Sequence, residues 1–394
     1  MKRIALVFLS SFLFLLVLSI LPLPIPPYLD FQVIYHADMG LLRGIPVYDH
    51  TGQVNMIASL AHVSPEQVYV LPFPYPPWYA LVTLPLALLP ITIAARLWFG
   101  LNLLMLFASV WLLTDGWEPR KRLSSFPITL LFWPILGSLF IGQYNFPILL
   151  GASLFAYSLK NQKVGLTAIA AVLLTFKPHL GILVLLIGLI YLLFRRDEFS
   201  HRALFYIFGI GIFLFLIGFV ADRAWPLNYF HSLLSFQQNS GVSSCELCAS
   251  LPILLANTFN GQSNFAAALP ISLMILAIFS LWIILSRRAI FRDANIAITA
   301  AILVTLLSSP YLLNYDFILL IVPFFLLAGQ AHTFLEWSIM TITYLIPFIA
   351  LDLWYRQGNF VFLASTFILL LLFFRDVRLL DAASKAAYNP LTTE

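Results

Sequence analysis

The sequence predicts an all-α polytopic membrane protein, a bundle of about 12 transmembrane helices with a long extracytoplasmic first loop. Of its 394 residues, 61% are hydrophobic and only 10% are charged, and the mean hydropathy is +0.94. Soluble domains contain about 45–50% apolar and roughly 25% charged residues. The net charge of +4 does not indicate nucleic-acid binding, because the basic residues lie at the ends of apolar segments.

The first apolar segment covers residues 4–21 and follows Met1-Lys2-Arg3. It is longer than the ~7–15 residues of a signal-peptide core, and Leu21-Pro22-Leu23-Pro24 has no small-residue cleavage site. We therefore interpret it as an uncleaved transmembrane helix. A removed signal peptide is the alternative.

The remaining apolar runs recur along the whole chain, and several are too long for one helix. They cover 77–113, 126–158, 163–194, 203–221, 269–286, 296–330, 333–351 and 358–374. A spanning helix needs ~20 residues, so runs longer than ~30 are predicted to be hairpins. The predicted breaks are the polar or proline-containing segments 142–145, 177–179 and 308–316.

The distribution of Lys and Arg predicts the orientation of these helices. With both termini inside, 16 of the 21 basic residues fall in cytoplasmic segments. This requires 78–89 to dip into the outer interface while about 91–113 spans. The polar segments 22–77, 142–145, 177–179, 222–268 and 308–316 then all lie on the outer face. The predicted organisation is one transmembrane domain (1–374), with outer loops at 22–77 and 222–268, and a cytoplasmic tail (375–394).

Asp30 is the first candidate for chemistry, at the outer end of the first helix in Tyr28-Leu29-Asp30-Phe31. An exposed carboxylate at a helix exit is the simplest interpretation. Apolar and aromatic neighbours would instead raise its pKa and suit it to accepting a proton near neutral pH. His36 and Asp38 would lie within two turns of it if 30–43 is helical.

Lys177 lies in a long apolar run, between Phe176 and Pro178. A lysine at membrane depth costs about 2.5–3.5 kcal/mol on insertion scales. Pro178 disfavours helix at the residue before it, so a cation and free backbone groups are expected at a turn. Such a turn suits a phosphate, although a lysine extending to the membrane surface would look the same.

Two turns carry side chains able to hydrogen-bond sugar hydroxyls. Gln143 and Asn145 stand in the first, although such a turn is more often a simple hairpin. The second turn follows Ser309-Pro310 and contains Tyr311, Asn314, Tyr315 and Asp316.

Cys245 and Cys248 form a C-x-x-C pair in the predicted second outer loop. Two thiols make a poor zinc site, and no βαβ pattern surrounds them, so a local disulfide without a catalytic role is expected.

The sequence has no phosphate-binding glycine loop, dinucleotide fingerprint or H-E-x-x-H motif. An activated substrate is therefore expected to arrive as a lipid.

Four ordered stretches resemble glycosyltransferase family 87, the polyprenol-phosphate-dependent membrane glycosyltransferases, and the likeness covers roughly residues 1–330. They are Asp30-Phe31 with Tyr35-His36-Ala37 and residues 41–48; Phe73-Pro74-Tyr75-Pro76-Pro77 leading to Leu88-Leu89-Pro90 and Trp98; Gly142-Gln143-Tyr144-Asn145; and Lys177-Pro178-His179. The segment 309–316 looks like the family's late polar turn, where some relatives have a histidine and this chain has Asn314 and Asp316.

The resemblance implies a GT-C-type fold in the plasma membrane and inverting transfer of a hexose, mannose in the best-known members. The donor would be a polyprenyl-phosphate sugar and the acceptor a lipid or glycan on the extracytoplasmic face. Asp30 would be the catalytic base, and neither a cofactor nor a metal is implied. The candidate donor-binding residues are Lys177, His179, Gln143, Asn145, Arg43 and Tyr75. The candidates for a second acid/base or for acceptor contacts are His36, Asp38, Asn314 and Asp316.

A transporter or flippase would also place polar residues inside a helix bundle, but it often shows repeated halves and a site near the bilayer midplane. This chain shows no internal repeat, and its polar residues are predicted on one face. A non-catalytic scaffold would not need Asp30 and Lys177 at these places.

Overall fold

The structure, a computed structural model, describes residues 2–21, 29–239, 248–261, 264–349 and 360–388, and its regular structure there is entirely helical. The α-helices in these ranges are α1 (Lys2–Ile20), α2 (Leu29–Leu42), α3 (His50–Ala61), α4 (Pro77–Thr83), α5 (Ile91–Leu113), α6 (Pro119–Leu131), α7 (Trp133–Ile141), α8 (Asn145–Lys160), α9 (Val164–Leu174), α10 (Pro178–Arg195), α11 (Glu198–Ala221), α12 (Trp225–Asn239), α13 (Leu251–Asn260), α14 (Phe265–Leu285), α15 (Arg287–Ile290), α16 (Ala294–Ser308), α17 (Ile321–Ala328), α18 (Phe334–Ile349) and α19 (Val361–Tyr388). Short 3₁₀ segments cover Pro65–Gln67, Leu84–Leu88 and Asn314–Leu320.

The number of membrane-crossing helices differs from the prediction. Within the described residues, four helices (α5, α10, α11 and α14) are long and apolar enough to cross a membrane alone. A fifth span results if α6 and α7, bent by 63° at Phe132, are counted as one. The all-helical membrane architecture is confirmed, whereas twelve spans and an extracytoplasmic first loop are not.

Two of the shorter helices form the centre of the bundle. In α16 nearly every side chain is buried, and the same holds for α8. A helix that is apolar on all sides can face lipid or other helices, and the burial of α8 and α16 shows that other helices surround them. α10 packs against both, and α14 and α19 cover α16. By contrast, α11 and α14 expose most of their apolar surface, as lipid-facing helices do.

The segment between α1 and α5 folds into short helices. α2 packs against α4 and the 3₁₀ segment after it, and the Tyr35 hydroxyl donates to the Leu89 carbonyl at 2.8 Å. α4 and Leu84–Leu88 together are too short to cross the hydrocarbon core, consistent with the predicted dip at 78–89. Asp49 is the N-cap of α3, and its carboxylate accepts from Gly52 N at 2.9 Å.

The predicted boundary between the membrane domain and the tail does not coincide with a helix end. α19 runs without a break from Val361 to Tyr388, across residue 374. Arg375 lies inside it and pairs with Glu336 at 2.6 Å and with Asp376 at 2.7 Å.

Candidate active site

The polar segments singled out in the sequence meet at one end of the bundle. Asn145 begins α8, Lys177 precedes α10 and Ser309 follows α16, so the three central helices place these residues together. The second polar loop reaches the same place, because Ala249 N donates to the Leu312 carbonyl at 2.7 Å and Ser250 Oγ donates to the Ser309 carbonyl at 2.7 Å.

The turn between α7 and α8 depends on Gly142. Its φ of +74° lies in the left-handed region, where a side chain is strained, and a Cβ there would lie 3.0 Å from Phe31 Cβ. Trp98 Nε1 donates to the Gly142 carbonyl at 2.8 Å. The following Tyr144 donates its hydroxyl to the Asp30 carbonyl, so this turn and the start of α2 are tied together.

Asp30 is largely buried in the first turn of α2, beside the side chain of Gln143. Burial raises the pKa of the Asp30 carboxyl from 3.8 to about 6, and Asp316 acts in the same direction. The Gln143 hydrogen bond and the charge of Lys177 lower this pKa, but by less. Asp30 is therefore a carboxylate close to half-protonated at mildly acidic pH and ionised at neutral pH.

Lys177 is not a surface lysine: it is 4% exposed. It adopts an extended backbone (φ −133°, ψ 84°) between α9 and α10, and Pro178 occupies the first turn of α10, as the sequence predicts. The sequence indicated no partner for its charge. In the structure its Nζ lies 2.7 Å from Asp316 Oδ1 and 2.7 Å from Asn145 Oδ1.

Asp316 is held by the turn that carries it. Its Oδ2 accepts from Leu313 N at 2.9 Å while its Oδ1 binds Lys177. Asn145 Nδ2 donates to the neighbouring Tyr315 carbonyl at 2.9 Å. Lys177 lies over the Tyr315 ring, 5.3 Å from its centre. The ion pair is therefore surrounded by hydrogen bonds, which a buried pair needs to be stable.

An aromatic wall closes one side of this cluster. The Tyr75 ring lies 4.5 Å from that of Tyr144, and Tyr79 stacks on Phe176 at 4.5 Å. The Tyr48 hydroxyl donates to the Tyr75 carbonyl at 2.7 Å. Tyr75, predicted from the proline-rich motif, thus lies in the wall beside Asp30.

Of three other predicted residues, Arg43 and His36 lie apart from this cluster, whereas Asp38 lies close enough to its aromatic wall for its charge to act on Tyr79 and Tyr144. Arg43 is exposed at the end of α2 and donates to the Met39 carbonyl at 3.2 Å. Asp38 follows Asp30 by eight residues, about 12 Å along a helix. It is fully buried, which raises its pKa well above the usual range. His36 lies on another face of α2, and burial lowers its pKa to about 4.

Two buried side-chain atoms near the ion pair lack a hydrogen-bond partner within the described residues. They are Gln143 Oε1 and His179 Nε2. The His179 ring meets Tyr311 edge-on at 5.9 Å. Because buried polar atoms are nearly always satisfied, these two mark where a bound molecule or water would supply a partner. Asn314, half-buried at the start of its 3₁₀ segment, makes no side-chain hydrogen bond to a described residue.

Two predictions for this region remain. One is a disulfide between Cys245 and Cys248, and the other is a site that needs no metal. Cys248 is disulfide-bonded and 1% exposed. Cys245 lies outside the described residues, so the pairing of these two stays a prediction. Within the described part of the chain, no group of three or more His, Cys, Asp or Glu side chains could hold a metal ion.

Sequence reasoning gave no separate role to Tyr144 and Tyr315, although both stand inside motifs that it singled out. Tyr144 ties the central turn to Asp30, and Tyr315 contacts both Asn145 and Lys177. The only signal for them was their position next to the polar residues of each turn.

Comparison with known proteins identifies the family to which this chain belongs. No curated protein and no solved structure matches this chain. The family model described as glycosyltransferase family 87 matches residues 73–313, more than half of the chain. The match includes Tyr75, Gln143, Asn145, Lys177 and His179, whereas Asp30, Asn314 and Asp316 lie outside it. This chain belongs to glycosyltransferase family 87, and it is a membrane glycosyltransferase.

Proposed function

We propose that this enzyme has a GT-C-like architecture and moves a hexose, mannose first among the candidates, from a polyprenyl-phosphate donor to a lipid or glycan acceptor. The transfer takes place on the extracytoplasmic face of the plasma membrane, with inversion at the anomeric carbon and without a cofactor. The observation that carries the proposal is the carboxylate of Asp30, buried beside Gln143 and close to Lys177 and Asp316.

In this mechanism Asp30 is the general base. It accepts the proton of the acceptor hydroxyl as that oxygen forms a bond to C1 of the sugar. The bond from C1 to the phosphate oxygen breaks, and polyprenyl phosphate leaves with the electron pair. A base with a pKa of about 6 is ionised at neutral pH and still basic enough to take a proton in the transition state.

The buried ion pair modifies the proposed role of Lys177. Two of its three N–H groups bind Asn145 and Asp316, which leaves one donor for a substrate oxygen. Asp316 balances the charge of Lys177. Lys177 therefore binds the donor phosphate mainly through a directed hydrogen bond and only little through net positive charge. Gln143 Oε1 and His179 Nε2 are proposed to complete the contacts to the donor sugar.

The experiment that tests this function uses purified enzyme and a panel of labelled polyprenyl-phosphate hexoses. Transfer of label to an endogenous lipid or glycan fraction from one of these donors, with inverted configuration, is the expected result. Transfer from a nucleotide sugar without any polyprenyl donor would refute the proposed donor class.

The pH dependence of transfer follows from Asp30. Burial raises its pKa to about 6, and the base must be ionised to act, so activity is lost as pH falls through about 6. We expect log(kcat/KM) to be level above that pH and to fall about tenfold per unit below it. Initial rates from about pH 4.5 to 8.5 measure this. A profile that stays level down to about pH 4 would show that the essential base has an ordinary carboxyl pKa.

The sidedness of the site is a separate prediction from the positive-inside distribution. Residues 30–75 and 222–268 should face outside, and 114–125 and 195–202 should face the cytoplasm. Single cysteines introduced on a cysteine-free background and labelled with an impermeant reagent measure this. Labelling of a cysteine at position 120 from outside intact cells, but not of one at position 49, would reverse the orientation.

A further inference from the structure

A second polar cavity lies next to the site, between the segment that follows α2 and the start of α12. Its volume is about 230 Å³ and it opens to the surface. Its lining residues are Pro46, Tyr48, Asp49, His50, Pro72, Asp222, Asn228, His231 and Ser232. The Val47 N–H donates to the Ala221 carbonyl at 3.2 Å, so a backbone hydrogen bond joins the two segments that line the cavity.

The hydrogen-bond donors of four lining side chains are directed at the protein itself. Tyr48 OH donates to Tyr75 O at 2.7 Å, and Ser232 Oγ donates to Phe73 O at 2.7 Å. His50 Nε2 lies 2.8 Å from the Val70 carbonyl, which can only accept. Asn228 Nδ2 binds both oxygens of Asp222, at 3.0 and 2.9 Å. These groups therefore retain mainly acceptor capacity for a ligand.

Two carboxylates add negative charge to the cavity, although the Asp222 oxygens already accept from Ala224 N and Asn228 Nδ2. Asp222 is only 5% exposed, and the described residues provide no ion pair for it. Asp49 stands at the rim as the N-cap of α3. A ligand of this cavity has to supply donors and cannot carry negative charge, because like charges at short range are repelled. A neutral sugar meets both conditions, since each hydroxyl donates one hydrogen bond.

The cavity is connected to the proposed catalytic base by a short chain of contacts. Tyr48 binds the Tyr75 carbonyl, the Tyr75 ring packs on Tyr144, and Tyr144 binds the Asp30 carbonyl. A molecule in the cavity would therefore be separated from the site by one layer of residues, the segment 72–75.

We propose that this cavity binds a neutral sugar residue of the acceptor, remote from the hydroxyl that is glycosylated. The acceptor would then be a glycan of more than one sugar and not a bare lipid alcohol. Assigning this sugar to the acceptor rests on the proposed function, whereas sugar binding in the cavity does not depend on it.

The test measures binding without turnover, on the full-length protein in a detergent that has no sugar head group. Three probes are compared by saturation-transfer NMR: mannobiose, the disaccharide of mannuronic acid, and glucosamine. Mannobiose should bind and the uronic disaccharide should not. Stronger binding of glucosamine through its ammonium group, or equal binding of the neutral and anionic disaccharides, would overturn the proposal.

Two variants locate the binding. The double variant Asp49→Asn, Asp222→Asn removes both charges, and Asn is as good an N-cap as Asp. It should weaken mannobiose binding about fivefold or more, because hydrogen bonds to charged groups are stronger, and should reduce discrimination against the uronic disaccharide. Pro46→Trp, at the rim, should block mannobiose with an unchanged melting temperature. Unaltered binding in both variants would refute the site.

A further variant separates this proposal from the proposed function. Asp30→Asn should bind mannobiose like the wild type, since Asp30 does not line the cavity. If no polyprenyl donor supports transfer while mannobiose still binds here, the proposed function fails and the cavity stands. If transfer proceeds and Pro46→Trp leaves the acceptor KM unchanged, the cavity is not an acceptor site.

Discussion

Replacing Asp30 with Asn should abolish sugar transfer while the protein still folds and inserts. Asn keeps the size of the side chain and can still bond Gln143, but it cannot accept the proton of the acceptor hydroxyl. Positioned acid–base groups contribute about 10²–10⁴-fold to rate. We therefore expect kcat to fall by about that factor, with the donor KM little changed.

The matched control is Asp38→Asn, which changes a carboxylate on the same helix, about 12 Å along it from Asp30. Asp38 is fully buried and its burial favours the neutral form, so an amide replaces it with a similar group. The kcat of the Asp38→Asn variant should stay near that of the wild type. If the correctly inserted Asp30→Asn variant transferred sugar at the wild-type rate, Asp30 would not be the base, and Asp316 would be the next candidate.

Removing one partner of the Lys177–Asp316 pair should be far more damaging than removing both. Asp316→Asn leaves the Lys177 ammonium buried with no negative charge to balance it, although an amide oxygen can still accept its hydrogen bond. Breaking a buried pair in this way costs about 3–5 kcal/mol, because one charge is left uncompensated. The double variant Lys177→Met, Asp316→Leu removes both charges and should regain most of that loss. Midpoints of thermal unfolding in detergent measure the difference.

The same variants separate stability from substrate binding. If the third N–H group of Lys177 contacts the donor phosphate, the double variant recovers stability while the donor KM stays raised and transfer stays slow. A double variant that is as unstable as Asp316→Asn would show that packing of these side chains, and not their charge, holds this end of the bundle together.

Local sequence rules predicted the turns of the site correctly. Pro178 disfavours helix at Lys177, and the structure has a break there. Gly142 accommodates a positive φ that ends α7, so the polar turn at 142–145 is where the sequence placed it. These features depend on backbone sterics within a few residues, and a single sequence contains that information.

The length rule for spanning helices selects only part of the bundle, for a physical reason. It applies to helices that face lipid, whose ends must reach the aqueous surfaces. α8 and α16, with 16 and 15 residues, are enclosed by other helices, so their ends can be satisfied by protein groups inside the bundle. Hydropathy cannot distinguish a lipid-facing helix from one enclosed by helices.

The sequence by itself determined the helical membrane class, the polar turns and the family motifs, because composition and local sterics are sufficient for these. Only the tertiary structure decided that Lys177 pairs with Asp316, 139 residues away. It also decided that Asp30 is largely buried beside Gln143 and that Arg43 lies apart. Charge pairing and burial depend on which helices pack together, and that arrangement comes from contacts between distant parts of the chain.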